Sequence, residues 1–502
     1  MPENTFKDEL KAIFDDRAAF EKEEVGKYSF DKSPLWLFKK DEKNVGLGVV
    51  KPSRDRYQKE LADLINLAKK YGKKIVIRGG GSGVLGAATP RIGNETVIID
   101  MTDLDFFRIN GEKTWVETGA GIIGSRLENS LNEIRRTLGH SPASLGISTP
   151  GGWVASRSSG QFSSNYGTIE DLVLSLEIVD AFGKISDIQE NELQSFFRME
   201  GTTGIITKVR MKIFPIDKNL FFRSYSFLTL NQSLEALRIL FEARKTMEKE
   251  GVFLKAVRLY DFIDRFLVAK PHSPDKKEKN KSSLKRFLEK IILRYPDFLN
   301  RLAKDLEKIG LARPILIFVV SSLKKEKAEE WLNHLDNLFP PAGKKRKNDS
   351  IAKVWHENRF KLRYEKLEEK IKDGFVIDAF DCQPRDHKEI FKIYEAVKNA
   401  VKKYAIIGAH FGLDRKNYYI YFTFIGRGGL ELYKKIWMRI LAAAYKNRGY
   451  TAHHHGIGFL KAGKDNLSVK HAYGIKWLEE AEKRKRHLDP ENIFNPGNIF
   501  NK

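Results

Sequence analysis

Three adjacent histidines, His453, His454 and His455, run into Gly456-Ile457-Gly458. Imidazole titrates near neutral pH and is the commonest metal ligand, so the triplet could move protons, recognise an anion or bind a cation. On a strand, neighbouring side chains alternate, which would place His453 and His455 on one side and His454 on the other. Carboxylate or thiolate co-ligands at recognisable metal-site spacing are missing. The better reading is acid–base work or recognition of an anionic substrate, with no metal assigned.

A second set of residues is mostly glycine. Gly79-Gly80-Gly81-Ser82-Gly83-Val84-Leu85-Gly86 follows the β-branched run Lys74-Ile75-Val76-Ile77-Arg78. Gly81, Gly83 and Gly86 fit the dinucleotide fingerprint, and Asp100 stands near the place of a ribose-binding acid. That fingerprint needs a helix opening at the glycines. Ala87-Ala88-Thr89-Pro90-Arg91-Ile92-Gly93 leaves no room for one, which argues against a nicotinamide-type site. What remains is a loop whose backbone N–H groups can converge on an anion such as a pyrophosphate. Two further segments share its character. Residues 139–172 are rich in small and hydroxyl side chains and almost uncharged, and Glu200-Gly201-Thr202-Thr203-Gly204-Ile205-Ile206 is similar. Such segments pack poorly as core and suit a backbone lying along a large, flat, polar ligand.

The elements that must hold these residues are mixed. Arg56 to Tyr71 has helical apolar spacing, while Lys74 to Arg78 and Thr96 to Asp100 read as buried strands. Glu170 to Val179 and Gly204 to Phe214 bear further strands. Four blocks follow: a charged helical extension over 1–44, a ligand-binding domain over 45–217, a cap over 218–430, and a helical C-terminal segment over 431–502. In the cap, helices at Leu234 to Lys249 and His387 to Lys403 flank strands at Ile315 to Val320 and Tyr418 to Phe424. Two Lys-rich loops, 271–283 and 340–348, interrupt it.

Composition bounds the function. The chain has 502 residues, 41% of them hydrophobic, and a net charge of +23. A globular, multidomain protein is expected. One cysteine, Cys382, excludes a disulfide framework, a thiolate zinc site and an iron–sulfur cluster. The N-terminus lacks the order of a signal peptide, and no apolar run reaches bilayer length, so a cytoplasmic protein is expected. No nucleic-acid-binding module accompanies the basic charge. Lys281 to Tyr295 has a basic amphipathic pattern, with Leu284, Phe287, Leu288, Ile291 and Ile292 on one face, consistent with peripheral contact on the inner side of a membrane.

Taken together, the glycine-rich segments resemble the FAD-binding domain of the vanillyl-alcohol-oxidase, or p-cresol-methylhydroxylase, flavoenzymes. The terminal Leu488-Asp489-Pro490 with Phe494-Asn495-Pro496-Gly497 is similar to that superfamily's ending. The resemblance implies an α+β fold: a two-subdomain FAD-binding domain, an inserted α+β cap, and a helical C-terminal segment that returns to the flavin domain. It implies a pyrophosphate loop of Arg78, Gly79, Gly80, Gly81, Ser82 and Gly83. Ser144, Thr149, Gly151, Gly152, Ala155, Ser156, Ser158, Gly160 and Tyr166 would line the flavin. Glu200, Gly201, Thr203, Gly204 and Ile206 would make a later contact. Some members attach flavin through a histidine in the glycine loop. Ser82 takes that place here, which implies non-covalent FAD.

Within the superfamily the chain looks most like the alkyldihydroxyacetonephosphate synthases of ether-lipid synthesis. Gly139-His140-Ser141-Pro142 with Gly151-Gly152-Trp153-Val154, Val257-Arg258-Leu259 with Asp261, Tyr421-Phe422-Thr423-Phe424 before Arg427, and the histidine triplet carry this likeness. It implies exchange of an acyl for an alkyl chain on a dihydroxyacetone-phosphate precursor, with flavin N5 as covalent catalyst. Arg258 would clamp the substrate phosphate, and His453, His454, His455 and Arg427 would join it in catalysis. His410 and Tyr421 would face the substrate. The implied partners are a small-molecule or lipid phosphate, with room for a membrane contact and a homodimer. Gly426 stands where the family carries a catalytic tyrosine; Tyr419 or Tyr421 is the nearest substitute. The alternative is an FAD-dependent D-2-hydroxy-acid dehydrogenase, whose metal-binding histidine stretch is only partly matched by Gly408 to Asp414. A non-catalytic, basic membrane-binding protein is the third reading.

Overall fold

The computed structural model describes residues 3–38, 42–268, 294–341, 344–360, 364–461 and 467–500. The Lys-rich stretch 271–283 and most of the basic pattern at 281–295 lie outside the described residues. The chain divides into two units. The first comprises 1–160, 168–216 and 454–502, and the second 161–167 and 217–453.

The first unit carries two main sheets. One contains β1 (Ala18–Ala19), β2 (Gly48–Val50), β3 (Lys74–Arg78) and β4 (Thr96–Asp100), in the order β1-β2-β4-β3. β2, β4 and β3 run parallel. Their β-branched side chains pack on the helix Tyr57–Lys70 through Leu61, Leu64, Ile65 and Ala68. The other holds β5 (Phe107–Ile109), β6 (Trp115–Gly119), β8 (Val173–Val179), β9 (Ile185–Gln189) and β10 (Ile205–Lys212), in the order β5-β6-β10-β8-β9. It is antiparallel throughout. Two short strands, β7 (Arg136–Thr137) and β11 (Phe214–Pro215), pair with each other. These two sheets are the two subdomains that the resemblance implies.

Both ends of the chain belong to this unit. Phe6, Leu10 and Phe14 of the helix Glu3–Phe14 are fully buried in the same core as Leu61 and Val97. The C-terminal segment returns beside β3: Ile75 N–H donates to Ile493 O at 2.9 Å and Asn495 N–H to Ile75 O at 2.8 Å.

The second unit is one seven-stranded antiparallel sheet. Its strands are β12 (Leu220–Ser226), β13 (Val252–Tyr260), β14 (Ile315–Ser322), β15 (Lys345–Arg346), β16 (Phe375–Cys382), β17 (Ile406–Leu413) and β18 (Tyr418–Arg427), in the order β15-β12-β14-β13-β17-β18-β16. The helices Leu230–Lys249, Lys325–Leu338, Glu389–Val401 and Leu430–Lys446 pack against it. The unit runs on to His453, so the helix Leu430–Lys446 belongs to it. Period-2 alternation divides the sheet into two faces. One face of β13, β17 and β18 carries Val257, Leu259, Phe411, Ile420 and Phe422, all buried. The opposite face carries Arg258, Tyr260, His410, Gly412, Tyr419, Tyr421 and Thr423.

Candidate functional site

In the first unit, β3 runs straight into the glycine loop, and no α-helix follows before β4, only a single 3-10 turn at Gly93–Glu95. The loop lies tightly against residues 147–149. A Cβ on Gly80 would stand 1.6 Å from Ile147 O, and one on Gly79 would stand 2.2 Å from Thr149 Oγ1. Gly81 has φ +63°, and a Cβ there would strike the Arg78 guanidinium, which lies over the loop. Asp31 braces it from the N-terminal extension, accepting Gly86 N–H at 2.8 Å, Ser33 N–H at 3.1 Å and Trp36 Nε1–H at 2.9 Å. Burial pushes its carboxyl up to about 6. Nothing in the sequence pairs Asp31 with a loop some fifty residues on, so its role was not legible.

Buried polar atoms without protein partners collect here. They include Arg78 Nη1, Thr89 Oγ1, Arg91 Nε and Thr149 Oγ1. Burial depresses the pKa of both guanidinium groups, that of Arg91 to about 10. Buried donors left unpaired cost free energy. Two such cations beside a glycine loop fit a bound polyanion.

The other residues expected to line the flavin are stitched to one another. Glu200 N–H donates to Ala155 O at 2.9 Å. Ser158 Oγ meets His140 Nε2 at 3.1 Å, and burial lowers the His140 pKa to about 3, keeping it neutral. Ser156 Oγ donates to Gly152 O at 2.8 Å and Thr203 Oγ1 to Ser195 O at 2.8 Å. Ser144 O accepts Ser148 N–H at 2.9 Å, and Gly151 N–H donates to Ala120 O at 3.0 Å. A Cβ on Gly160 would lie 2.5 Å from Ser141 N, and one on Gly201 3.0 Å from Asn495 Nδ2. Gly204 and Ile206 lie at the start of β10.

Two members of the expected set sit otherwise. The Glu200 carboxylate, its pKa raised by burial, accepts the N–H groups of Ile457 and Gly458. It holds the segment after the histidines. Tyr166 belongs to the second unit, where its hydroxyl lies 3.4 Å from Asp217 and Lys255 Nζ lies 3.7 Å from its ring centre.

In the second unit, Arg258 Nη1 donates to Tyr419 Oη across Gly412. A Cβ on Gly412 would stand 2.3 Å from that oxygen and 2.9 Å from the guanidinium, so only glycine lets them meet. Trp355 and Tyr419 flank the guanidinium, with ring centres 5.6 and 5.5 Å away. Burial raises the Tyr419 pKa, which keeps the phenol protonated at neutral pH. One register step along, His410 lies across from Tyr260 and from Tyr421. Its ring stacks on Tyr421 at 4.7 Å, and its Nδ1 lies 2.9 Å from Asp264. The face thus offers a cation for an anionic group, with a histidine and two tyrosines beside it for proton transfer.

The histidine triplet is not a strand. It lies in a bent segment leading to Gly456 (φ +77°) and Gly458 (φ +52°), so the expected alternation fails. His453 is buried, with Nε2 3.0 Å from Asp414 and its ring stacked on Tyr419 at 4.9 Å. It packs behind Tyr419. His454 and His455 contact each other, ring centres 4.3 Å apart. Arg427 is exposed at the far end of β18, opposite Phe375. Eight residues separate it from Tyr419, about 26 Å along a strand, so the structure does not group it with Arg258. Gly426 is likewise enclosed: a Cβ there would lie 2.7 Å from Tyr404 O, which leaves no room for a tyrosine.

Two family models match the chain. Residues 49–189 match the FAD binding domain, and residues 300–499 match the C-terminal domain of FAD linked oxidases. An alkyldihydroxyacetonephosphate synthase of Trypanosoma brucei brucei is 26% identical over 463 residues, covering 87% of this chain and 71% of the relative. That of Dictyostelium discoideum is 27% identical over 537 residues, covering 98% and 80%. A D-lactate dehydrogenase of Archaeoglobus fulgidus is 26% identical over 240 residues, covering 45% and 52%. Among solved structures, an alkyldihydroxyacetonephosphate synthase superposes with a TM-score of 0.73 at 22% identity, covering 99% of this chain and 85% of its own. p-Cresol methylhydroxylase does so at 0.70 and 14% identity, covering 99% and 96%. The architecture is that of p-cresol methylhydroxylase and of the alkyldihydroxyacetonephosphate synthase, and the glycine loop lies within the residues that match the FAD binding domain.

Proposed function

We propose, from the premise that this chain is an FAD-dependent enzyme built like the alkyldihydroxyacetonephosphate synthases, that it exchanges an acyl for an alkyl chain on a dihydroxyacetone-phosphate-type lipid precursor. The observation that carries this reading is the set on one face of the second unit's sheet: Arg258 held by Tyr419, beside His410 and Tyr421. FAD, when bound, supplies the nucleophilic centre for the exchange. The chain's own residues do the rest. Arg258 binds the substrate phosphate, for which its planar fork is suited. Tyr419, raised in pKa, stays protonated and orients that arginine. His410 and Tyr421 are the groups that hold and move the proton of the incoming alcohol. Tyr421 thereby supplies what Gly426 cannot. Arg78, Thr149 and the glycine loop hold the pyrophosphate, and FAD is bound without a covalent link.

The finer part of this reading is where the enzyme works. Long-chain substrates partition into bilayers, and a chain of net charge +23 is attracted to anionic lipid, which supports peripheral membrane contact. Among the described residues, no helix is long and apolar enough to cross a membrane.

The test is anaerobic incubation of the purified holoenzyme with an acyl-dihydroxyacetone phosphate and a labelled fatty alcohol. Label should enter the phosphate-bearing product while the flavin spectrum returns to its oxidised form. Flavin bleached by a D-2-hydroxy acid, with no exchange, would replace this reading by the dehydrogenase.

A further inference from the structure

His410 is held from behind, and the residue that holds it was not among the sequence candidates. Asp264 lies in the helix Phe262–Val268, which follows β13 directly, and is fully buried. One carboxylate oxygen lies 2.9 Å from His410 Nδ1, and the other accepts the Thr423 hydroxyl. The backbone N–H of Asp264 donates to Asp261 Oδ1 at 2.7 Å, which fixes the first turn of the helix. Asp261 is anchored in turn, its other oxygen accepting Tyr394 Oη–H at 2.9 Å and Lys398 Nζ at 3.0 Å. Gly408 lets the helix come this close to β17, because a Cβ there would stand 2.3 Å from Asp264 N. A missing side chain, a capped helix and a hydroxyl donor thus converge on one carboxylate, whose free face is turned to His410.

We propose that Asp264 is the positioning residue that keeps His410 in its Nδ1–H form, leaving Nε2 as the proton acceptor for the substrate alcohol. A carboxylate can only accept, so the ring nitrogen facing it must carry the hydrogen. The opposite nitrogen is then unprotonated, and the ring retains 13% side-chain exposure through which a substrate can reach it. This rests on the exchange reaction proposed above. There a C–O bond forms to the alcohol and the C–O bond to the acyl group breaks. The bonding pair leaves with the carboxylate, and the alcohol's proton passes to His410 Nε2. No oxidant or reductant enters. The groups facing the imidazole are Asp264 from the helix, Tyr260 from β13 at 5.4 Å, and Tyr421 from β18 at 4.7 Å, with Arg258 one step along the sheet.

The test uses the FAD-loaded enzyme, selectively labelled with 15N-histidine, with His410→Gln identifying the ring signals. Wild type should show the Nδ1–H tautomer at His410. Asp264→Asn, whose amide can donate to Nδ1, should shift the ring to Nε2–H. Its kcat should fall on the order of a hundredfold with KM and flavin content unchanged, and the kcat–pH profile should change. His410→Gln keeps a donor for Asp264 and should lose turnover to a similar extent. It decides the matter if Asp264→Asn fails to fold. A wild-type Nε2–H tautomer, or an Asp264→Asn enzyme with unchanged pH profile and kcat, would overturn the proposal. A wild type with the expected tautomer but no exchange would sink the reaction and leave the Asp264–His410 arrangement standing.

Discussion

Arg258 stands in the sheet with a phenol as its side-chain hydrogen-bond partner and, among the described residues, no carboxylate in an ion pair with it. Hydrogen bonds to charged groups contribute about 1.5–3 kcal/mol. Arg258→Ala should therefore raise KM for the phosphate substrate about ten- to a hundredfold, with flavin content unchanged; titration of product formation against substrate checks both. Arg258→Lys should recover only part, because a lysine cannot keep the Tyr419 contact and a two-pronged grip on phosphate at once. Asp31 makes the opposite kind of claim, on pH. Its folded pKa of about 6 lies above the ordinary 3.8, so its contribution to stability is complete below pH about 4 and lost as pH rises through about 6. Between those limits the wild type should lose at most about 3 kcal/mol relative to Asp31→Asn. Parallel denaturant titrations at several pH values would show it, and a constant gap between the two proteins would refute it.

Elements carry the next level, because the loop and the C-terminal turn work through backbone geometry. Ala at Gly80 would drive a methyl into Ile147 O, a main-chain atom that cannot swing aside. Overpacking of this kind costs about 1–3 kcal/mol, so Gly80→Ala should purify with much less visible flavin absorbance per protein. The C-terminal turn is tied down by Asp489. This buried carboxylate accepts Ile493 N–H at 2.9 Å, Phe494 N–H at 2.8 Å and the Lys485 ammonium, whose pKa burial depresses. Removing it strands a buried cation, and Asp489→Ala should cost about 3–5 kcal/mol, measurable as a large fall in Tm. The strands at 74–78 and 96–100 were legible because β-branched runs report burial locally. The Asp-Pro turn was legible as a pattern, and its reason is the network at Asp489. The helix Leu230–Lys249 begins earlier than apolar spacing alone suggests, because Thr229 and Gln232 form a capping box. The histidine triplet departs from strand geometry for a non-local reason: Glu200, distant in sequence, takes the N–H groups of Ile457 and Gly458. Asp264 stayed hidden for the same reason, since only the fold brings it to His410.

At the scale of the whole molecule, the first unit is assembled from three pieces of chain, which hydrogen-bond to one another beside the strand that leads into the glycine loop. The glycine loop comes from the first piece and Glu200 from the second. The third supplies Asn495, whose side-chain carbonyl accepts Ile77 N–H at 2.9 Å and whose amide donates to Glu200 O at 2.7 Å. Ile493 and Phe494 also lie in the core formed by Leu61, Ile75 and Val97. FAD affinity should thus belong to the assembled unit and not to a local motif. The loop from Gly79 to Ile92 contains no histidine, cysteine or tyrosine to which flavin could be bonded, and the cations at its two ends, Arg78 and Arg91, could hold a flavin only by charge and hydrogen bonding. Such contacts end when the unit unfolds. Acid precipitation should therefore release all of the flavin into the supernatant, and the denatured chain should show no flavin fluorescence on a gel. Partial release, with fluorescence remaining on the protein, would mean that a side chain outside the loop is bonded to the flavin. A chain ended after His453 should fail to retain FAD even at millimolar supply, because the ligand then lacks the unit that binds it.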